Sequence, residues 1–131
     1  MKVVVKIGGA ALDNKELLHD CAAAIAGLAQ QKHQVTVVHG GGAELTRTLK
    51  QLGMSSTFVN GLRVTDRETR DVAVMVMGGL LNKRLAGAIS AAGQPAIGLC
   101  ASDAGCFLAE PMMHEEVIGR ASCRERVLYR V

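Results

Sequence analysis

The sequence predicts an α/β fold, a three-layer sandwich with a mainly parallel sheet and an inserted β-hairpin. Two runs carry the parallel sheet: Lys2-Val3-Val4-Val5-Lys6-Ile7, which ends in Gly8-Gly9, and Val35-Thr36-Val37-Val38-His39, which ends in Gly40-Gly41-Gly42. Each is a β-branched stretch of the kind that reads as a strand buried on both faces, and each leads into apolar residues at helical spacing. Between the two short β-prone runs of residues 57–64 stands Asn60-Gly61, the strongest short-range hairpin signal.

Composition limits what the chain can be. At 131 residues it has room for one domain with a real core. Residues of the hydrophobic class make up 49%, yet there is no Trp, one Tyr and two Phe, so Val, Leu, Ile, Met and Ala must fill the interior. That favours layered helices and strands over an aromatic β-sandwich. The formal charge of +3 invites a nucleic-acid reading, but basic and acidic side chains balance over residues 1–117. The surplus comes from Arg120, Arg124, Arg126 and Arg130 against Glu125, so the body offers no basic face and no nucleic-acid partner is expected. Cys21, Cys100, Cys106 and Cys123 form no C-x-x-C pair, and the start carries no secretory signal. Free thiols, a cytoplasmic location and no metal site are the expectation. Apolar stretches such as residues 72–77 fall far short of the roughly 20 residues a spanning helix needs, so no membrane is expected either.

In order along the chain, Asp13 and Glu16 resemble a capping box, after which Leu17, Cys21, Ile25 and Leu28 recur at helical spacing. A polar link through residues 30–34 then completes a β-α-β unit with parallel strands. Leu45, Leu49 and Leu52 mark a second amphipathic helix, which Gly53 stops. The hairpin comes next, placed to act as a flap over a small ligand. Thr65 and Glu68 suggest a second capping box, opening a helix through Val72, Met75 and Val76; Gly78-Gly79 predicts a kink or break. The pattern resumes with Leu81, Leu85, Ala88, Ile89 and Ala92 and closes at Gly93. Residues 95–100 read as a third buried strand, 102–105 as a turn and 106–110 as a further strand.

Residues 118–131 depart abruptly in composition and show no useful period. Residues 118–127 back-translate to a string that resembles a sequencing-adapter oligonucleotide read as coding. The expected division is therefore a lobe over 1–117 and a non-native tail over 118–131, which is excluded from fold reasoning.

The chemistry concentrates at the glycine turns. Parallel neighbouring strands bring both turns to one carboxyl edge, where open α/β sheets bind ligands, and backbone N–H groups opening a helix suit an anion. Lys6, which alone reads as a solvated strand-end lysine, would meet a phosphoryl group there. Arg63 offers a planar fork for a carboxylate. His39 ends a buried strand, a place where histidine more often packs and bonds locally than acts as acid or base. Asp103 reads as a turn-former and Lys83 as part of a solvated helix face. No Gly-Lys pair supports a P-loop, no G-x-G-x-x-G is present, and no Ser stands in G-x-S-x-G.

Val5-Lys6-Ile7-Gly8-Gly9, Val38-His39-Gly40-Gly41-Gly42, Asn60-Gly61-Leu62-Arg63-Val64-Thr65 and Asn82-Lys83 occur in that order. Together they resemble the amino-acid kinase family, and Asn60 through Thr65 resembles its acetylglutamate-specific branch. The resemblance implies the N-terminal, substrate-binding lobe of the amino-acid kinase fold, truncated, since these kinases are about twice as long. It implies transfer of the ATP γ-phosphoryl group, with Mg2+, to the side-chain carboxylate of N-acetyl-L-glutamate in arginine biosynthesis. Lys6 would stabilise the transferring group, Gly8 and Gly9 would line the nucleotide phosphates, and Gly41, Gly42 and Arg63 would hold acetylglutamate. A homodimer through the helices after Thr65 is implied for the full-length parent. Carrier-bound aminoadipate as substrate, or a non-catalytic amino-acid-binding module, are the alternative readings.

Overall fold

A computed structural model of the chain describes residues 1–106, 111–114 and 117–123. Strands β1 (Lys2–Ile7) and β2 (Gln34–His39) pair in parallel, with Lys2 opposite Gln34 and Ile7 opposite His39. The β-α-β unit is therefore as expected. Burial, however, alternates along both strands. Val5, Ile7, Val35 and Val37 pack on the helices, whereas Val4 is 65% and Val38 50% exposed. Only one face of the pair is covered among the described residues, which corrects the reading of strands buried on both sides.

The helices entering from the two glycine turns differ from expectation at their caps. Residues Gly9–Asp13 already form a short helix, α1, so Asp13 ends a helix instead of opening one. Asn14 turns extended, and its side-chain oxygen accepts from the N–H of Glu16 (2.9 Å) and of Leu17 (3.1 Å), capping α2 (Lys15–Gln30). An unpaired first-turn N–H is what such a cap satisfies. The buried stripe of α2 is Leu18, Ala22, Ile25 and Ala26; of the expected residues Ile25 is in the core and Cys21 packs against it, whereas Leu17 is exposed. Helix α3 (Gly42–Gln51) buries Leu45 and Leu49, while Leu52 at its cap is exposed.

Strands β3 (Phe58–Val59) and β4 (Leu62–Arg63) form the expected hairpin. Asn60 and Gly61 both have positive φ (50° and 78°), the left-handed pair that a tight two-residue turn demands. Asp66, not Thr65, caps α4 (Arg67–Ala73), accepting from Thr69 N–H at 2.8 Å. Gly78-Gly79 does not break the helix. The chain is helical from Arg67 to Ala91, winding as a π-helical segment over Val74–Leu81 before α5 (Asn82–Ala91). This 25-residue helix is long and apolar enough to cross a membrane by length and composition alone. Here Val72, Val76, Leu81, Leu85 and Ile89 join the core with Leu12 and Leu49, while Val74, Met75 and Leu80 stay exposed.

Residues 95–100 form no strand. Exposure still alternates, with Ile97 at 88% and Leu99 at 59%, but two carbonyls that a ladder would use are taken by side chains of α5. Asn82 Nδ2 donates to Leu99 O (3.1 Å) and Lys83 Nζ to Gly98 O (2.7 Å). A short 3-10 turn, Asp103–Gly105, stands where a turn was expected. The strand expected over 106–110 falls on residues 107–110, which lie outside the described residues; Cys106 is not in a strand. Strands β5 (Pro111–His114) and β6 (Val117–Cys123) pair antiparallel, so part of the segment without a legible period is extended.

Candidate functional site

Parallel register brings both glycine turns to one edge. Gly40 N–H donates to Ile7 O at 3.2 Å, carrying the β1–β2 pairing one step beyond the strands. A Cβ on Gly9 would stand 3.5 Å from both Cα and N of Gly41, so the two turns are in van der Waals contact. The glycines have separate reasons to lack a side chain. At Gly41 a Cβ would collide with Leu81 Cδ1 and come within 3.4 Å of Met77 Cγ, so packing against the π-helical segment demands glycine there. At Gly8 and Gly42 a Cβ would meet no protein atom within 4 Å. Among the described residues nothing accepts from the N–H of Gly41 or of Gly42, so both remain available at the N-terminus of α3.

Arg63 comes to this helix from the hairpin. One guanidinium nitrogen donates to Ser56 Oγ and the other to Thr46 Oγ1 at 2.7 Å, and the group lies 4.6 Å from the centroid of the Phe58 ring. Thr46 Oγ1 in turn donates to Gly42 O at 2.8 Å. The chain Arg63–Thr46–Gly42 thus latches the hairpin onto the first turn of α3. An arginine has five N–H donors, and the two hydroxyls leave others for a carboxylate. Sequence reasoning missed Thr46 and Ser56. The spacing of Thr46, four residues after Gly42, was the one available signal.

A second bridge ties the helices leaving the two turns. Arg47 of α3 pairs with Glu44 on its own helix and with Asp13 at the end of α1 (3.4 Å). Lys6 is exposed, and its side chain has no hydrogen bond or ion pair among the described residues. With Gly8 it lines an apolar cavity of about 350 Å³ between β1 and α2, whose wall includes Val5, Cys21, Ile25 and Leu28. That cavity contains neither Gly41 nor Arg63. The structure therefore brings Gly9, Gly41, Gly42 and Arg63 together, and leaves Lys6 beside that separate cavity.

The remaining candidates are structural or connecting groups. His39 bonds locally, its Nδ1 lying 3.0 Å from Gly40 O. Asn82 is 8% exposed, and Lys83 is engaged with Gly98 instead of only facing solvent. Asp103 closes its turn by accepting from Cys100 N–H at 2.7 Å, which holds its carboxyl below the usual carboxylate range. The Cys100 thiol and, more weakly, Lys83 add to the effect. Cys21, Cys100 and Cys106 are free thiols.

Comparison with known proteins bears on the family. The model of the amino acid kinase family matches residues 1–128. Acetylglutamate kinase of Koribacter versatilis is 66% identical over 103 residues, covering 79% of this chain and 40% of that protein. The Acidobacterium capsulatum acetylglutamate kinase is 57% identical over 109 residues, 83% of this chain and 42% of its own length. This chain thus spans about two fifths of the length of the curated relatives it matches. Two solved structures share the fold at 24% identity: smu.665 of Streptococcus mutans (TM-score 0.75, 86% of this chain, 45% of that one) and N-acetylglutamate synthase of Neisseria gonorrhoeae (TM-score 0.68, 95% and 28%). With its two facing glycine turns, its latched hairpin and a family match along nearly its whole length, the chain belongs to the amino acid kinase family.

Proposed function

We propose that this chain is the substrate-binding portion of an acetylglutamate kinase, which moves the γ-phosphoryl group of ATP to the side-chain carboxylate of N-acetyl-L-glutamate. The observation that carries the reading is the Arg63–Thr46–Gly42 latch, which sets a guanidinium over the helix turn whose Gly41 and Gly42 N–H groups are unpaired. A cation and fixed N–H donors on one helix turn suit an amino-acid carboxylate. The acetylglutamate kinase relatives support the substrate class.

Phosphoryl transfer asks a protein mainly for positioning and for charge against the in-line oxygens. The attacking carboxylate is already ionised, so no base is required of His39. In this reading Lys6 neutralises the transferring phosphoryl group, and the uncovered edge at Gly8 and Gly9 admits the nucleotide phosphates. Among the described residues no three His, Cys, Asp or Glu side chains group as a metal site. The Mg2+ of the reaction is read as arriving with ATP, since this ion commonly keeps waters and substrate phosphates as ligands. The parent is read as a cytoplasmic homodimer joined along Arg67–Ala91, where Val74, Met75 and Leu80 are exposed. Residues 118–131 are read as a non-native extension, which sequencing the gene across codon 117 tests.

Calorimetry with N-acetyl-L-glutamate tests the pocket. Arg63→Ala is expected to weaken binding at least about tenfold, about 1.4 kcal/mol, and unchanged affinity would remove Arg63 from the site. The chain as given is expected to make no acyl phosphate from ATP and acetylglutamate when product is trapped with hydroxylamine. Turnover above the blank would overturn that half of the proposal.

A further inference from the structure

The most constrained polar group outside the latch is Asn82, the first residue of α5. Its side chain is buried and uses its amide nitrogen twice, donating to Leu99 O at 3.1 Å and lying 3.4 Å from His39 Nε2. Leu99 O can only accept, which identifies the nitrogen end of the amide. The oxygen end, Oδ1, is buried without a partner among the described residues and packs against Gly98, where a Cβ would collide with it. A buried acceptor left unpaired is costly, and an apolar side chain of similar size would avoid the cost. What such a side chain would lack is the pair of donors.

The donors settle the state of His39. Gly40 O can only accept, so the His39 Nδ1 that faces it at 3.0 Å carries the ring proton. Nε2 is then bare, and Asn82 Nδ2–H satisfies it. One tautomer is compatible with both contacts. The consequence reaches the ligand side because a trans peptide is planar, so pinning Gly40 O to the ring points the Gly41 N–H the opposite way. Three successive glycines otherwise give this peptide freedom to flip.

We infer that Asn82 is a positioning residue for the triple-glycine turn: by holding His39 as the Nδ1–H tautomer it fixes the Gly40 carbonyl and aims the Gly41 N–H at the substrate. The ligand side of this inference rests on the functional reading above. Asn82 touches no substrate in it. Its effect passes through a ring 43 residues away in sequence.

Nitrogen-15 NMR of the histidine rings and glycine amides of the full chain tests this without ligand. The wild-type His39 ring is expected to be protonated on Nδ1. Asn82→Asp, which offers Nε2 an acceptor in place of a donor, is expected to move the proton to Nε2 and to shift the Gly41 amide resonance. His39→Asn keeps a side-chain donor near Gly40 O but has no tautomer, so adding Asn82→Asp to it should leave the Gly41 amide in place. A wild-type ring protonated on Nε2 overturns the inference whether or not any variant folds. So does an Asn82→Asp chain whose ring and Gly41 amide do not move. N-acetyl-L-glutamate affinity should fall about tenfold in Asn82→Asp and be unaffected by the same change in the His39→Asn background. Failure of the wild-type chain to bind acetylglutamate would count against the functional reading alone, because the ring and amide signals report on Asn82 independently.

Discussion

Gly41 and Gly42 stand side by side in one motif, yet they are glycine for different reasons. A methyl group on Gly41 would drive into Leu81, whereas one on Gly42 meets open space in the first turn of a helix. Gly41→Ala is therefore expected to destabilise the fold by about 1–3 kcal/mol, the usual cost of overpacking. Gly42→Ala should be neutral or stabilising by up to about 1 kcal/mol, because alanine is the better helix former. Urea denaturation of the two variants separates these outcomes, and equal losses would show that Leu81 does not set the requirement. Arg63 stood out in the sequence as a candidate cation from its place in the hairpin. Its partners Ser56 and Thr46 were not, since nothing local says which hydroxyl a long side chain will reach.

Among the elements, the first strands, the helices and the hairpin arose from period and turn chemistry, and the errors lie at their edges. Both expected caps fell one residue early: Asn14 and Asp66 hold the first-turn N–H groups that Asp13 and Thr65 were expected to hold. At the first site the cause is α1, which uses Asp13 as its last residue and frees it to meet Arg47. Asn14→Ala is expected to cost about 1 kcal/mol for loss of the cap. Asp13→Ala should cost less, since its pairing with the half-exposed Arg47 is a surface ion pair. Thermal melts that rank the two in the opposite order would restore Asp13 as the more important residue. The double glycine at 78–79 was expected to interrupt the helix. It lies instead within a π-helical segment where a Cβ on Gly78 would come 3.2 Å from Cys100 Cβ, so close approach to residue 100 explains at least that glycine.

At the scale of the whole molecule, helices pack on one face of the β1–β2 pair, and among the described residues its other face is uncovered. Val4 and Val38 are exposed on these strands, and Ile97 and Leu99 are exposed on a segment with the same alternation. Exposed apolar surface of this kind binds hydrophobic dyes. The folded chain is expected to raise the fluorescence of such a dye, and the Val38→Thr, Ile97→Thr double variant is expected to lower the signal without loss of helical circular dichroism. An unchanged signal would place the dye elsewhere.

The sequence by itself determined the α/β class, the parallel pair with its two glycine turns and the Asn60-Gly61 hairpin, because periodicity and turn chemistry are properties of neighbouring residues; the family came from the resemblance of its motifs. Tertiary structure decided what those elements do to one another. Leu81 is the reason for Gly41, Thr46 anchors Arg63, and Asn82 and Lys83 take the carbonyls of residues 98–99 that a third strand would have paired. Each of these contacts joins residues at least 15 apart along the chain, and such partners are set by how helices and strands pack in space, which no local period encodes.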